Sequence, residues 1–363
     1  MSTIVLSAGG TGGHLFPAQA VAAELMRRGR SVVLMTDARG RNYGAAFPGA
    51  RVETVPSSSP SNTNIVGKFL APAEILGGVF VGFFKLRRLR PRAVVGFGGY
   101  PSLPVMLAAS LAGLPTLIHE QNAVLGRVNR LLANRVRAIA ASFPLVRFAP
   151  KDATRVRYIG GVVRPEAIAL GRPPYEAPGE SGPIRLLVFG GSQGARALSE
   201  LVPAAVAMLP EALRSRLEVV QQGRPEDVES VRDAYTSANI RAEVAPFFGD
   251  LPQRMANAHL VICRGGASTV SELAVIGRPS ILVPYPFATD DHQTANASVL
   301  ENAGAAWLIQ QRDLTAEKFA ALLGNIFAQP AELARRAQAA QSLGRTDAAE
   351  RLADLVEEIG GVE

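Results

Sequence analysis

Short apolar runs alternate with longer amphipathic ones along the chain. Thr3–Ser7 is an uninterrupted aliphatic run that reads as a buried strand, residues 17–28 place apolar side chains at helical spacing, and 31–35 returns to strand. That order is a βαβ unit. The pattern restarts at Ile184–Phe189, an apolar strand followed by a glycine loop and a helix that begins near Arg196. A second pair of strand-plus-glycine segments, VVGFGGYPS at 94–102 and LVICRGGASTVSE at 260–272, recurs in the same order. The repeats predict two similar halves, each a mostly parallel sheet covered by helices on both faces. The expected fold is α/β, with two Rossmann-like, doubly wound parallel-sheet lobes facing across a cleft. The boundary falls near Val163. One domain then spans 1–163, the second 164–343, and a C-terminal helix within 344–363 completes the first. The Gly- and Pro-rich stretch 171–183 reads as a surface loop, and 331–359 as two helices broken at Gly344, with Thr346 and Asp347 as N-cap candidates for the second.

The longest uncharged stretch, 93–118, is long enough to cross a bilayer, but Gly96, Gly98, Gly99, Pro101, Pro104, Gly113 and Pro115 divide it. It is expected to fold as strand, loop, helix and strand. Residues 75–84 are also uncharged and are followed by Lys85, Arg87, Arg88, Arg90 and Arg92. This run is too short to span. Leu76, Val79, Phe80, Phe83 and Phe84 share one helical face, which suits either a membrane interface with the cations on anionic headgroups or packing on a sheet. The N-terminus has no charged side chain before Glu24 and lacks the basic start of a secretory signal.

Composition narrows the class. Apolar residues make up 48% and charged residues 19%, which excludes a disordered chain. One cysteine, Cys263, makes neither an intramolecular disulfide nor a multi-cysteine metal site and fits a reducing cytoplasm. The net charge of +7 favours anionic partners. Nucleic acid is disfavoured among them, because the basic residues are scattered outside 85–92 and lack an aromatic stacking platform.

Gly9-Gly10-Thr11-Gly12-Gly13-His14 joins a strand to a helix and bares backbone N–H groups toward an anion. Counted from Gly10, the dinucleotide fingerprint GxGxxG fails at Leu15, although Asp37 stands about where a ribose-binding acid would. Neither glycine loop carries the lysine of a P-loop. Gly190-Gly191-Ser192-Gln193-Gly194-Ala195 repeats the first loop in the second half and suits a diphosphate. Within 264–272, Glu272 is placed to accept ribose hydroxyls, while Thr269 and Glu272 also have the spacing of a capping box. His119-Glu120-Gln121-Asn122 follows an apolar strand at the point where it opens to ligand. Of the four histidines, His14, His119 and His292 fall in loop motifs and His259 does not; His14 is the candidate general base. Asp290, Asp291, His292, Gln293 and Asn296 suit sugar hydroxyls. The chain contains no D-x-D, so no carboxylate pair of that kind bridges a metal to a nucleotide diphosphate.

Taken together, GGTGGH at 9–14, GFGGYPS at 96–102, HEQN at 119–122, GGSQGA at 190–195 and TVSE at 269–272 resemble the bacterial N-acetylglucosaminyltransferase family that converts lipid I to lipid II. The resemblance spans nearly the whole chain and implies a GT-B fold. It also implies a UDP-GlcNAc donor in the C-terminal lobe and a lipid acceptor, polyprenyl-pyrophosphoryl-MurNAc-peptide, on the N-terminal lobe.

Carried over by position, Thr11, Gly12 and Gly13 lie at the interlobe cleft, Asn122 and Arg164 near the donor, and Gly191, Ser192, Gln193 and Gly194 at its diphosphate. Glu272 holds the ribose and Phe248 meets uracil through its backbone. Ala267, Ser268, Thr269, Val270 and Ser271 approach the phosphates, and His292 and Gln293 read the GlcNAc hydroxyls. His14 is the base, with His119 also in the catalytic set. Two departures stand out: Gly160-Gly161-Val162-Val163-Arg164 replaces Gly-Asn-Pro-Val-Arg, and Gly265 stands where Ser or Ala is frequent, which predicts added flexibility. The resemblance implies inverting transfer of GlcNAc to the 4-hydroxyl of MurNAc with no cofactor and no metal. It implies peripheral attachment to the cytoplasmic face of the cell membrane, through an anionic surface met by Leu76, Val79, Phe80, Phe83, Lys85, Arg87 and Arg88. A UDP-sugar 2-epimerase and a non-catalytic nucleotide-sugar-binding membrane module are the alternatives.

Overall fold

The structure, a computed structural model, describes residues 2–9, 12–38, 46–57, 65–144, 146–171, 173–191 and 194–362. The chain divides into two compact units, one of residues 1–162 with 346–363 and one of residues 163–345.

The first unit is built on β1 (Thr3–Ser7), β2 (Ser31–Thr36), β3 (Arg51–Thr54), β4 (Ala93–Gly96), β5 (Thr116–Glu120), β6 (Ala138–Ala141) and β7 (Val156–Tyr158). Every pairing is parallel, and the order is β3-β2-β1-β4-β5-β6-β7. The second unit uses β8 (Ile184–Phe189), β9 (Leu217–Gln222), β10 (Arg241–Ala245), β11 (Leu260–Cys263), β12 (Ser280–Leu282) and β13 (Ala306–Leu308). Its sheet is also wholly parallel, in the order β10-β9-β8-β11-β12-β13. Both are doubly wound, as the strand and helix alternation predicts. Strands buried on both faces are near-continuous apolar runs, and β1, β4, β8 and β11 have that composition.

In each sheet the winding reverses once. The chain leaves β1 toward β2 and β3, then returns to lay β4 on the other side of β1; β8 and β11 stand in the same relation. Ser7 is in register with Gly96, and Phe189 with Cys263. The loops that follow these strands therefore leave each sheet side by side at its topological switch point, where such sheets bind ligands. The glycine segments that pair in the sequence are these loops.

The helix Gly12–Arg27 begins five residues before the position expected from Pro17, so the glycines lie in its first turn. Its inner face, Ala18, Val21, Ala22 and Leu25, packs with Ile4, Leu6 and Leu34. The C-terminal helix Ala348–Gly360 adds Leu352, Ala353, Val356 and Ile359 to the same core. Arg28 reaches Asp354 at 2.6 Å and Glu357 at 2.7 Å, and Arg30 reaches Glu357 at 2.7 Å, which clamps this helix to the first unit. Residues 93–118 form strand, loop, helix Ser102–Leu111 and strand, as expected.

The helix Ile65–Leu89 corrects the expected apolar face. Val79 and Phe83, with Ile75, pack against the core under this helix, and Leu86 is fully buried. Lys85 is ion-paired with Glu53. Gly78 and Gly82 let the helix lie close, since a Cβ at Gly78 would meet the Pro56 carbonyl at 2.0 Å. Leu76, Phe80 and Phe84 point the other way, 69%, 67% and 56% exposed. One helical face thus resolves into two, because the burial stripe runs through the glycines, which hydrophobicity alone does not mark. Among the described residues no helix is long and apolar enough to cross a membrane.

Glu357→Gln is expected to destabilise the first unit by about 1–2 kcal/mol, because Arg28 and Arg30 lose a half-buried partner; urea unfolding measures it. Hydrogen bonds from Arg27 and then Arg28 hold Glu24 down at about 2. A depressed carboxylate contributes stability above its unfolded value and loses it as pH falls, so the melting temperature is expected to drop between about pH 4.5 and pH 2. Glu24→Gln flattens that drop.

Candidate functional site

Each unit carries its own set of polar groups at the C-terminal ends of its strands. In the first unit the helix Gly12–Arg27 starts where β1 ends, and its first-turn N–H groups have no acceptor within the helix. His14 projects from this turn. Its Nδ1 is 2.8 Å from the Phe97 carbonyl, and the Gln121 carboxamide approaches the same nitrogen at 2.8 Å. Gly98 and Gly99 after β4 have φ of +86° and +74°, and a Cβ on them would stand 3.3 Å and 3.4 Å from ring carbons of His14. These glycines let the imidazole lie flat against the loop. Burial lowers the His14 pKa below the usual histidine value, against the pull of the nearby Glu120 carboxylate.

His119 does not emerge where β5 opens. It is fully buried, burial pushes its pKa down to about 3, Ser142 Oγ stands 3.3 Å from Nε2, and Nδ1 has no partner. It is a neutral ring that packs against Phe97, whose carbonyl meets His14. Glu120, 2% exposed, organises the loop beyond it, accepting from Asn122 N–H at 3.0 Å, Gly126 N–H at 2.7 Å and Asn129 Nδ2 at 2.9 Å. Asn129 also donates to the His119 carbonyl at 3.0 Å. HEQN marks Glu120 in the sequence, but nothing there reveals Asn129 as its partner.

In the second unit Gly190 follows β8, and its N–H donates to Gln222 Oε1 at 3.3 Å. A Cβ at Gly190 would stand 2.3 Å from the Ala195 nitrogen, and Gly194, at φ +69°, faces Arg224. Only glycine fits so tight a loop. Gly191 has φ of +87° with open space where a Cβ would be. Beside this loop, β11 leads through Gly265 and Gly266 into the helix Ala267–Ile276. Its N-cap is Gly266, so Ala267, Ser268 and Thr269 form the first turn, and Val270 and Ser271 follow.

Thr269 is therefore not an N-cap, and the capping-box spacing is coincidental. Glu272, 4% exposed, sits one turn further in, and Arg164 takes both of its oxygens, Nε at 2.6 Å and Nη2 at 2.8 Å. Gly265 does not add flexibility either: a Cβ there would lie 2.4 Å from the Gln293 carbonyl, so glycine allows the close approach of the helix His292–Asn302. Asn296 is buried in that contact and donates to the Gly265 carbonyl at 3.0 Å.

Asp290 and Asp291 both have φ near +54°, a left-handed pair that turns the chain into this helix. His292 donates from Nδ1 to the Thr289 carbonyl at 2.8 Å, and Gln293 Oε1 accepts the Tyr285 N–H at 2.9 Å. Phe248 is nearly buried, with the Arg254 guanidinium 4.2 Å from its ring centre. Arg264, which lies within the 260–272 motif but has no role in its reading, donates to the Val283 and Pro284 carbonyls at 3.0 Å and 3.1 Å and to Gln311 Oε1 at 2.9 Å, pinning the loop after β12. Thr11, Ser192 and Gln193 lie outside the described residues. Among the described residues no group of three His, Cys, Asp or Glu side chains is placed to hold a metal ion.

Residues 4–141 match the glycosyltransferase family 28 N-terminal domain, and residues 185–352 match the glycosyltransferase family 28 C-terminal domain. The UDP-N-acetylglucosamine–N-acetylmuramyl-(pentapeptide) pyrophosphoryl-undecaprenol N-acetylglucosamine transferase of Paramagnetospirillum magneticum is 52% identical, over 97% of this chain and 95% of its own. The Rhodospirillum centenum protein of the same name is 52% identical, over 98% and 94%. The chain belongs to glycosyltransferase family 28. Acinetobacter baumannii MurG, a crystal structure, superposes with a TM-score of 0.82 at 32% identity, covering 99% of this chain and all of that one. The kitacinnamycin glycosyltransferase, at 19% identity and a TM-score of 0.70 over 99% of both chains, shares the fold. The two parallel-sheet units are those of a GT-B enzyme, and family 28 membership assigns the glycine loops after β1 and β8 to glycosyltransferase domains.

Arg164→Leu leaves the Glu272 carboxylate buried without its partner and is expected to cost about 2–3 kcal/mol in urea unfolding. Replacing Glu272 by leucine as well is expected to recover most of that loss, since the second buried charge is then gone.

Proposed function

We propose that this enzyme transfers GlcNAc from UDP-GlcNAc to the 4-hydroxyl of MurNAc in undecaprenyl-pyrophosphoryl-MurNAc-pentapeptide, lipid I, giving lipid II for peptidoglycan synthesis. Relatives at 52% identity over nearly the whole chain carry the reading, since their shared name states this donor and acceptor.

UDP-GlcNAc is a substrate of the second unit. Glu272 accepts the ribose hydroxyls, with Arg164 holding its carboxylate in place. Backbone at Phe248 meets uracil. The loop 191–194, by its family motif, and the helix start from Ala267 to Ser271 are the sites for the diphosphate, and His292 and Gln293 read the sugar hydroxyls. Asn122 completes the donor contacts. The first unit takes the acceptor through the loop that leads into the helix Gly12–Arg27.

The reaction is one inverting displacement. The acceptor oxygen forms a bond to the anomeric carbon, the bond from that carbon to the UDP oxygen breaks with its electron pair leaving on UDP, and His14 takes the hydroxyl proton. Charge gathers on the departing diphosphate, where the N–H groups of both glycine segments of the second unit stabilise it; one such donor is worth about a hundredfold in rate. His119 packs against Phe97 and, buried and neutral, exchanges no proton. These residues ask for no metal.

The acceptor's polyprenyl chain stays in the bilayer, so the enzyme works at the membrane surface, on the cytoplasmic face where its nucleotide-sugar donor is made. Leu76, Phe80 and Phe84, with Arg87 and Arg88 on the exposed side of the same helix, form the contact with an anionic leaflet. Val79, Phe83 and Lys85 are not part of it.

Radiolabel transfer from UDP-GlcNAc to a lipid I analogue tests the reading. His14→Ala is expected to lower kcat by about a hundredfold or more while UDP binding is retained. Release of a C2 epimer from UDP-GlcNAc alone, or donor binding without transfer to lipid I, would overturn the proposal. In vesicle sedimentation, Phe80→Asp is expected to abolish binding to anionic vesicles and to leave turnover of a soluble acceptor analogue unchanged.

A further inference from the structure

We infer that Gln121 is the positioning residue of the base: its carboxamide oxygen holds the Nδ1–H tautomer of His14 and so leaves Nε2 as the nitrogen that accepts the proton. The inference deepens the proposed role of His14 and rests on it.

Donor and acceptor balance at one nitrogen carries the argument. His14 Nδ1 is 2.8 Å from the Phe97 carbonyl, which only accepts and so favours hydrogen on Nδ1; a bare lone pair there would face the carbonyl lone pairs. The Gln121 carboxamide reaches the same nitrogen at 2.8 Å. With its amino group turned to the ring, two donors would oppose each other and Gln121 Oε1 would be buried with no partner. Turning the carboxamide over exchanges atoms of nearly equal size. Oε1 then accepts from Nδ1–H jointly with the Phe97 carbonyl, which removes the clash of two donors at the ring.

Two acceptors on one N–H fix both tautomer and ring orientation, the task a buried partner performs for a histidine ligand or base elsewhere. Nε2 is the atom left with a free lone pair. It faces the space opened by Gly99, where a Cβ would stand 3.5 Å from it. Among the described residues the charged or titratable groups around the imidazole are Glu120 and His119, both from β5; the first favours the imidazolium, and the second is neutral. An amide at position 121 fixes the ring without adding a second negative charge, so His14 stays neutral and basic at neutral pH.

Long-range proton–nitrogen NMR on the 15N-labelled full chain, with the His14 signals assigned by His14→Ala, is expected to show Nδ1 protonated and Nε2 bare in the wild type. Gln121→Leu is expected to move the population toward the Nε2–H tautomer and to lower kcat about tenfold, with the donor KM unchanged. Gln121→Glu, nearly the same shape, is expected to keep the Nδ1–H tautomer and most of kcat at high pH. It raises the acid limb of the kcat profile by about one pH unit, because a carboxylate stabilises the imidazolium. A wild-type ring protonated at Nε2, or Gln121→Leu with the wild-type tautomer and kcat, overturns the inference. A His14→Ala enzyme with full activity would instead sink the base assignment, while the tautomer result stood by itself.

Discussion

An open parallel sheet must reverse its winding somewhere, and at that point two neighbouring strands send their loops to opposite faces. The crevice that opens between them is the one place on the sheet edge where backbone N–H groups converge without partners. This protein has two such points, between β1 and β4 and between β8 and β11, and glycines stand at all four strand ends. Glycine is required there by space as much as by dihedral angle: Gly190 has no room for a Cβ, and Gly98 and Gly99 give theirs to the His14 ring. The chemistry follows from this constraint, because each crevice offers helix-start amides to an anion before any side chain is considered.

The two crevices are finished differently. In the first unit His119, Glu120, Gln121 and Asn129 gather around the His14 imidazole, and burial lowers its pKa. Groups of this kind are costly to bury, and among the described residues His119 Nδ1 and Asn129 Oδ1 have no hydrogen-bond partner. In the second unit the polar side chains are tied to one another and to loop backbone. Arg164 and Glu272 are held as a forked pair, and Arg264 ties down the loop that carries Tyr285. Catalysis needs one atom with a free lone pair, whereas donor recognition needs many fixed donors and acceptors.

Much of this was legible before any coordinates. Alternating apolar runs marked the strands, because a strand buried on both faces has to be apolar throughout. The recurrence of glycine loops marked the two switch points, since only glycine meets their dihedral and spatial demands. What failed to read correctly failed for a physical reason. The face of the helix Ile65–Leu89 was misread because its inner stripe contains Gly78 and Gly82, residues chosen for closeness and not for hydrophobicity. Thr269 and Glu272 matched a capping box because spacing cannot say where a helix starts; Gly266 starts it three residues earlier. His119 read as a reactive loop residue, although the strand continues through it and buries it.

The sequence by itself determined the layered architecture, the repeat of the two glycine-flanked switch points and the family, because these depend on local composition and order. Tertiary structure alone decided which partners meet across long stretches of chain. Arg164 finds Glu272, Gln121 finds His14, and Arg28 finds Glu357 only after sheets and helices have brought them together. Hydrogen bonds and ion pairs act over about 3 Å, and no pattern along a single chain encodes a distance that short between residues so far apart in sequence.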